Sequence, residues 1–371
     1  MLKRHHFLII VFFVTVYFGF ELDLKPQANG DIDTKINQLI LDTLNKYALS
    51  YPDNTQFSLA VVKNSVVSFA GVLKRNGRLI AINNKDSVFE VGSISKVFTS
   101  TILSNLILDN SVALDEKIAG TLPFKLNPLE KDASKITFKS LSNHTSGLPN
   151  YPSNLDSVAK KNPLNPYVEY DSLLLKEYLM NELKLQTIPN TKYEYSNLGY
   201  ALLGYLLELK TSEKYEDLLQ KFVFEKYNMP SSSSKKNKIF NYLVKGHDDK
   251  GEVVPNWDLN IHEGAGACFS STHDLSMFVL ANFSNDPVLN FQRQRTFSVE
   301  NNDIDLALGW HIYRKEGTIW YFHNGRTGGY RSNITMDLEK KNAVILLVNS
   351  VYGQSERHLE KISWSLLRTI E

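Results

Sequence analysis

A serine hydroxyl is a poor nucleophile at neutral pH and becomes a useful one only with a base in hydrogen-bond reach. Ser93-Ile94-Ser95-Lys96 supplies such a pair, because residues three apart on a helix share a face and the Lys96 amine can reach the Ser93 oxygen. Gly92 permits a tight entry to the serine, and Val97 to Leu108 is apolar almost all round, as a buried helix should be. A helix start beneath Ser93 would aim free N–H groups and positive potential at an incoming oxyanion. S-x-x-K alone is a common pattern. Three further stretches accompany it in order: Ser142-Asn143-His144-Thr145-Ser146-Gly147-Leu148-Pro149, Tyr195-Ser196-Asn197 and His323-Asn324-Gly325.

The elements that must position these residues can be read from periodicity. Ile36, Leu39, Ile40, Leu44 and Tyr47 recur at helical spacing and predict an amphipathic helix over about 33–49. Phe57 to Val62 and Val66 to Gly71 read as a β-hairpin around Lys63-Asn64-Ser65. Strand-like runs return at 306–313, 318–323, 332–338 and 343–349, and a closing helix is expected over 354–369. The stretch 112–300 is instead mainly helical, at 171–185, 197–209, 213–227 and 271–283, the last opened by a capping-box pattern at Ser271 and Asp274. Strands at both chain ends with helices between them predict an α+β fold: one antiparallel sheet from both ends, flanked by helices, with a helical region inserted. A cleft should lie between the two regions. Residues 230–238 (PSSSSKKNK) read as an exposed loop.

With these motifs and their order, the chain resembles the serine β-lactamase-related family that includes class C β-lactamases, DD-carboxypeptidases and related esterases, whose motifs are S-x-x-K, Y-x-N and H/K-x-G. The likeness extends over about residues 56–350 through Thr191 to Gly204, Gly264 to Phe278, and Asn349-Ser350. It implies a β-lactamase/DD-peptidase-like fold, with Ser93 as the acylated nucleophile and either Lys96 or Tyr195 as its base. A phenol, with a pKa of about 10, serves as a base only where a cation favours its ionised form, and Lys96 is the candidate cation. Asn197 would hold Lys96 and bond a substrate amide, or act as a helix N-cap before Leu198. His323-Asn324-Gly325 should lie on an edge strand lining the cleft, with Gly325 allowing close approach of the backbone. The resemblance further implies an oxyanion hole from the backbone N–H groups of Arg326 and Ser93. Histidine at 323 stands where most β-lactamases carry lysine, so a permanent cation becomes a mostly neutral ring, and Arg326 or Arg331 would have to recognise a substrate carboxylate. Asn143 to Pro149 should be a rigid brace rather than a source of catalytic groups.

The expected substrate is a small or peptide-like molecule: a D-amino-acid peptide, a β-lactam or an ester. A DD-carboxypeptidase-like or β-lactamase-like amide hydrolase leads, with a carboxylesterase or a non-catalytic peptide-binding relative as alternatives. No cofactor is implied, and His262-Glu263 has no second ligand pair at metal-binding spacing. The single cysteine, Cys268, excludes an internal disulfide and reads as a core residue. A formal charge of +1, from 41 basic and 40 acidic residues among 371, gives no footprint for nucleic acid. Lys3, Arg4, His5 and His6 precede an apolar run from Phe7 to Phe20, the layout of an export signal. Its fourteen residues make about 21 Å of helix, short of a bilayer core of about 30 Å. Residues 1–20 are therefore expected to be a signal peptide or a retained membrane anchor, 21–31 a linker and 32–371 the hydrolase domain, exported to the periplasm or the cell exterior.

Overall fold

The computed structural model describes residues 31–353 and 358–370. The expected export segment, nearly all of the linker and the start of the closing helix lie outside the described residues. At the centre is a nine-stranded antiparallel sheet. Its strands are β1 (Gln56–Lys63), β2 (Val66–Arg75), β3 (Arg78–Ala81), β4 (Phe297–Ser298), β5 (Ile304–Leu306), β6 (His311–Lys315), β7 (Thr318–Arg326), β8 (Arg331–Asp337) and β9 (Asn342–Val348). The spatial order is β3-β2-β1-β9-β8-β7-β6-β5-β4. The two chain ends therefore meet mid-sheet, where Phe57 pairs with Val348 and Val62 with Ala343. All seven residues of β9 are buried, because strands flank it in the plane and helices cover both faces.

Alternation sorts the sheet's side chains. Phe57, Leu59 and Val61 of β1, with Val344, Leu346 and Val348 of β9, pack against two helices from the chain ends. These are α1 (Asp31–Ala48), contributing Ile40, Leu44 and Ala48 at four-residue spacing, and α5 (His358–Ile370), contributing Ile362 and Leu366. On the other face Ala60, Val62, Ile345 and Leu347 meet the inserted region. Its long helices are α2 (Ser95–Leu108), α3 (Asn197–Thr211) and α4 (Thr272–Asn282).

Five local expectations are corrected. The run 306–313 is not one strand: Gly309 (φ +75°) breaks it between β5 and β6, and its N–H donates to Ser142 O at 3.1 Å. A Cβ there would lie 2.9 Å from Lys96 O, so the break lets this turn dock on α2. Residues 230–238 are an exposed loop only in part: Pro230 and Lys235 to Lys238 are exposed, the latter running into a short helix at Lys236–Ile239, but the serines between them turn inward. Ser232, Ser233 and Ser234 are buried, their hydroxyls bonded to Asp274 and Glu216 carboxylates at 2.7–2.8 Å. Asp274 thus turns away from a reciprocal capping box, while Ser271 still caps α4 by accepting from the Asp274 N–H. The N-cap of α3 is Ser196, which accepts from Gly199 N–H, and Asn197 is the first helical residue. Finally, β7 is an interior strand. Its ladder with β6 ends at Phe322 whereas that with β8 runs on to Arg326, which leaves one side of residues 324–326 open to the cleft.

Candidate active site

Ser93 sits in a single 3₁₀ turn, Gly92–Ile94, that feeds directly into α2. Gly92 is left-handed (φ +51°), and a Cβ on it would lie 2.8 Å from Arg326 N. A Cβ on Gly325 would lie 2.1 Å from Val91 O and 3.0 Å from Ser93 N. Both glycines are therefore required for the tip of β7 to press against the serine's turn. That turn is pinned elsewhere by polar bonds: Ser332 Oγ donates to Val91 O, Ser95 Oγ to Gly92 O, and Cys268 N–H to Ser95 Oγ, at 2.7–2.9 Å. Cys268 is itself buried, and burial pushes its thiol well above the ordinary value.

Ser93 Oγ lies 2.9 Å from Lys96 Nζ and 2.9 Å from Tyr195 OH. Lys96 is fully buried, and no carboxylate among the described residues pairs with it. Desolvation drives its pKa well below that of an ordinary lysine. Its other neighbours, Asn197 Oδ1 at 2.8 Å and Ala265 O at 2.6 Å, are obligate acceptors that take two N–H bonds. A neutral amine then has its lone pair left for the Ser93 hydroxyl, while that hydroxyl accepts from Tyr195 O–H. Burial pushes the Tyr195 phenol upward, away from phenolate. Between the two candidate bases, the geometry and electrostatics favour Lys96 as the proton acceptor and Tyr195 as a donor.

His144 braces Tyr195. Its ring stacks on the phenol with centroids 4.2 Å apart, and its Nδ1 accepts from Ser196 N–H at 3.1 Å. His323 does not open onto the cleft as an anion-binding cation would. It is 1% exposed, and its Nδ1 bonds Asn324 O at 2.7 Å. Burial and the neighbouring His311 and Lys96 hold it well below the usual histidine range. Arg331 is also committed elsewhere, donating to the carbonyls of Val351 and Gly353 at 3.1 and 2.7 Å. Arg326 is exposed and lines the cleft. No group of three or more His, Cys, Asp or Glu among the described residues is arranged to hold a metal ion. His262 is packed between the rings of Tyr167 and Tyr170.

The cleft has a volume of about 910 Å³, and its mixed polar and apolar walls include the rings of Tyr151, Tyr167, Tyr193 and Trp257. Two of its polar residues were not found by sequence reasoning. Asn197 Nδ2 donates to Asn150 Oδ1 at 2.8 Å and to Tyr151 OH at 2.9 Å, so the amide expected to meet a substrate is already held by the loop after Pro149. Their signal in the sequence was position alone: both directly follow the Gly147–Pro149 turn.

The architecture is of the β-lactamase and penicillin-binding-protein type. The chain belongs to the beta-lactamase family, whose model matches residues 57–366. It is 24% identical over 337 residues to protein flp of Staphylococcus aureus, covering 85% of this chain but only 64% of that protein's length. To penicillin-binding protein 4 of Amycolatopsis lactamdurans it is 25% identical, over 70% of this chain and 71% of the relative. Among solved structures it is similar to the octameric penicillin-binding protein homologue of Pyrococcus abyssi (TM-score 0.74, 22% identity, 92% of this chain and 77% of the other). It is also similar to a beta-lactamase/D-alanine carboxypeptidase of Pseudomonas syringae (TM-score 0.74, 19% identity, 92% and 100%).

Proposed function

We propose that the protein is an exported serine hydrolase that acylates Ser93 with the carbonyl of a D-amino-acid peptide or β-lactam and then hydrolyses the acyl-enzyme. The observation that carries the reading is the placement of Ser93 Oγ at 2.9 Å from both a buried, readily neutral lysine and a tyrosine hydroxyl. Lys96 takes the serine proton as the nucleophile attacks. Tyr195 passes its own proton to the leaving group and regains one from the Lys96 ammonium, so that both groups end the step uncharged, and the backbone N–H groups of Ser93 and Arg326 receive the oxyanion. The names of the penicillin-binding relative and of the Pseudomonas carboxypeptidase support amide chemistry. A labelled penicillin or fluorophosphonate is expected to form an adduct on Ser93, absent from Ser93→Ala. Mass spectrometry placing it on Ser95 would sink the assignment. Export rests on residues 1–20 and is tested by fusing residues 1–30 to a reporter, which a cytoplasmic location would contradict.

A neutral-ester hydrolase is the second reading, favoured by the burial of His323 and the commitment of Arg331, which leave Arg326 to meet a carboxylate. A matched acid and methyl-ester substrate pair separates the two. A carboxylate-reading enzyme loses its preference for the acid in Arg326→Ala, whereas an ester hydrolase never shows one.

A further inference from the structure

Once Lys96 has taken the Ser93 proton it is an ammonium, and no carboxylate among the described residues pairs with it. Lys96 is fully buried, and its hydrogen-bond partners are the Ser93 hydroxyl, Asn197 Oδ1 and Ala265 O, all uncharged. The other ionisable side chains around it are Tyr195, which bonds the same serine, and the imidazoles of His144, His262, His311 and His323. A buried ammonium in such surroundings is costly unless something offsets its charge. Two rings are placed to do so: Lys96 Nζ stands over Tyr195 at 5.2 Å from the ring centroid and over Tyr200 at 5.5 Å. A cation within about 6 Å of an aromatic face is attracted by its negative π-density, most strongly where water is excluded.

Helix geometry puts the Tyr200 ring there. Tyr200 follows Asn197 by three residues on α3, so the amide that accepts from Lys96 and the ring beside Lys96 share one side of that helix. On α2, Lys96 and Ser100 stand four apart, and Ser100 Oγ bonds the Tyr200 hydroxyl at 3.0 Å. The same hydroxyl donates to Ser142 O, which ties the buried phenol at its far end. His144 leans on both rings, with centroids 4.2 Å from Tyr195 and 5.0 Å from Tyr200. Tyr195 has its own task at Ser93, whereas the hydroxyl of Tyr200 is committed to Ser142 and Ser100 and its ring meets the amine. We propose that the π-face of Tyr200 is the counter-charge of the Lys96 ammonium: it strengthens Lys96 as acceptor of the Ser93 proton and holds the charge until Tyr195 regains a proton from it. Tyr200 does not touch the reacting atoms and acts through Lys96. Its part in acylation rests on the proposed hydrolase reading; the attraction between ring and amine does not.

The test takes Tyr200→Phe as its reference and replaces that phenylalanine by its monofluoro, trifluoro and pentafluoro forms, which drain the π-face in steps while keeping a six-membered ring. The reference removes the lost hydroxyl from the comparison. Two quantities are read: the Lys96 pKa, by NMR titration of isotope-labelled lysine with Lys96→Met marking its resonance, and the limiting rate of fluorophosphonate labelling of Ser93 at high pH. From the reference to the pentafluoro form, the Lys96 pKa is expected to fall by about one unit, as loss of a desolvated cation–π contact predicts. The limiting rate should fall in step by about three- to tenfold, because only part of the proton has moved in the transition state. The acidic limb of the rate profile should move to lower pH with the NMR value. A ring that only packs would leave the Lys96 pKa in place across the series, and that result overturns the inference whatever the labelling rates do. A falling pKa with an unchanged limiting rate overturns the part in acylation. A falling pKa with no adduct on Ser93 in wild type overturns the hydrolase reading instead and leaves the pairing of Tyr200 with Lys96 standing.

Discussion

The two faces of the central sheet are built by different rules. Against α1 and α5, packing is built from alternating apolar residues: Phe57, Leu59 and Val61 opposite Val344, Leu346 and Val348, closed by Ile40, Leu44, Ile362 and Leu366, with Tyr51 and Trp320 in the same cluster. Against the inserted region, the buried side chains include Glu90, Lys96, His144, His262 and His323, with His311 half-buried beside them. Each of these six is moved towards its uncharged form: the carboxyl up, the amine and imidazoles down, His262 to about 3 and His311 to about 4. Desolvation, rather than ion pairing, dominates that face. One face contributes stability; the other gives some of it up by holding ionisable groups neutral and close together.

Exchanging the chemistry of the two faces should separate their effects. Lys96→Met is expected to lower the Ser93 labelling rate by about 10³-fold or more, since the serine loses its proton acceptor. It should also raise the melting temperature, because a chain of similar volume replaces a desolvated amine. The sign with pH is fixed by the lowered native pKa. The unfolded chain binds more protons up to about 10.5, so wild-type stability rises with pH through that window. The thermal gain from methionine should therefore grow as pH is lowered from about 10.5 and be smallest at that end. Unchanged labelling would remove Lys96 from the chemistry. On the opposite face, Leu346→Ala should cost about 2–5 kcal/mol in denaturant unfolding through the cavity it leaves. Labelling per folded molecule should stay constant, and a parallel loss of labelling rate would mean that the faces are not separable.

The same contrast explains what the sequence made legible. The packing of α1, β1 and β9 could be read because alternation and helical spacing are local and depend only on which face is apolar. Ser93 and Lys96 were legible for the same reason, as three-residue spacing on a helix fixes their mutual reach, and Tyr195 and Asn197 were legible through the family motif. The environment of these groups was not. That the His323 ring is buried, that Arg331 is spent on two carbonyls, and that Tyr195 is pushed up rather than down all depend on residues from distant segments. The Ser232–Ser234 stretch looked like loop because its partners, Glu216 and Asp274, are 17 or more positions away in the chain. Gly309 was the exception: a glycine inside a strand pattern signals a break or close backbone approach, and the structure shows both.

The smallest expected effect lies at the boundary between site and solvent. Asn197 Oδ1 accepts from Lys96 only while its amide stays in one orientation, and that orientation is held by the two bonds from Nδ2 to Asn150 Oδ1 and Tyr151 OH. Tyr151 is 40% exposed, so water competes for its bond, whereas Asn150 Oδ1 also takes the Asn197 backbone N–H at 3.1 Å. Tyr151→Phe removes one of these supports and leaves the ring on the cleft wall. The expected result is a loss of about two- to tenfold in labelling rate, the worth of one partly solvated hydrogen bond, with no change in melting temperature. Because the lost bond acts through Asn197 on Lys96, the loss should disappear when Tyr151→Phe is introduced into Lys96→Met. A full additional loss in that double variant would show that Tyr151 touches the labelling reagent directly, and the chain of contacts from Tyr151 through Asn197 to Lys96 would carry no function.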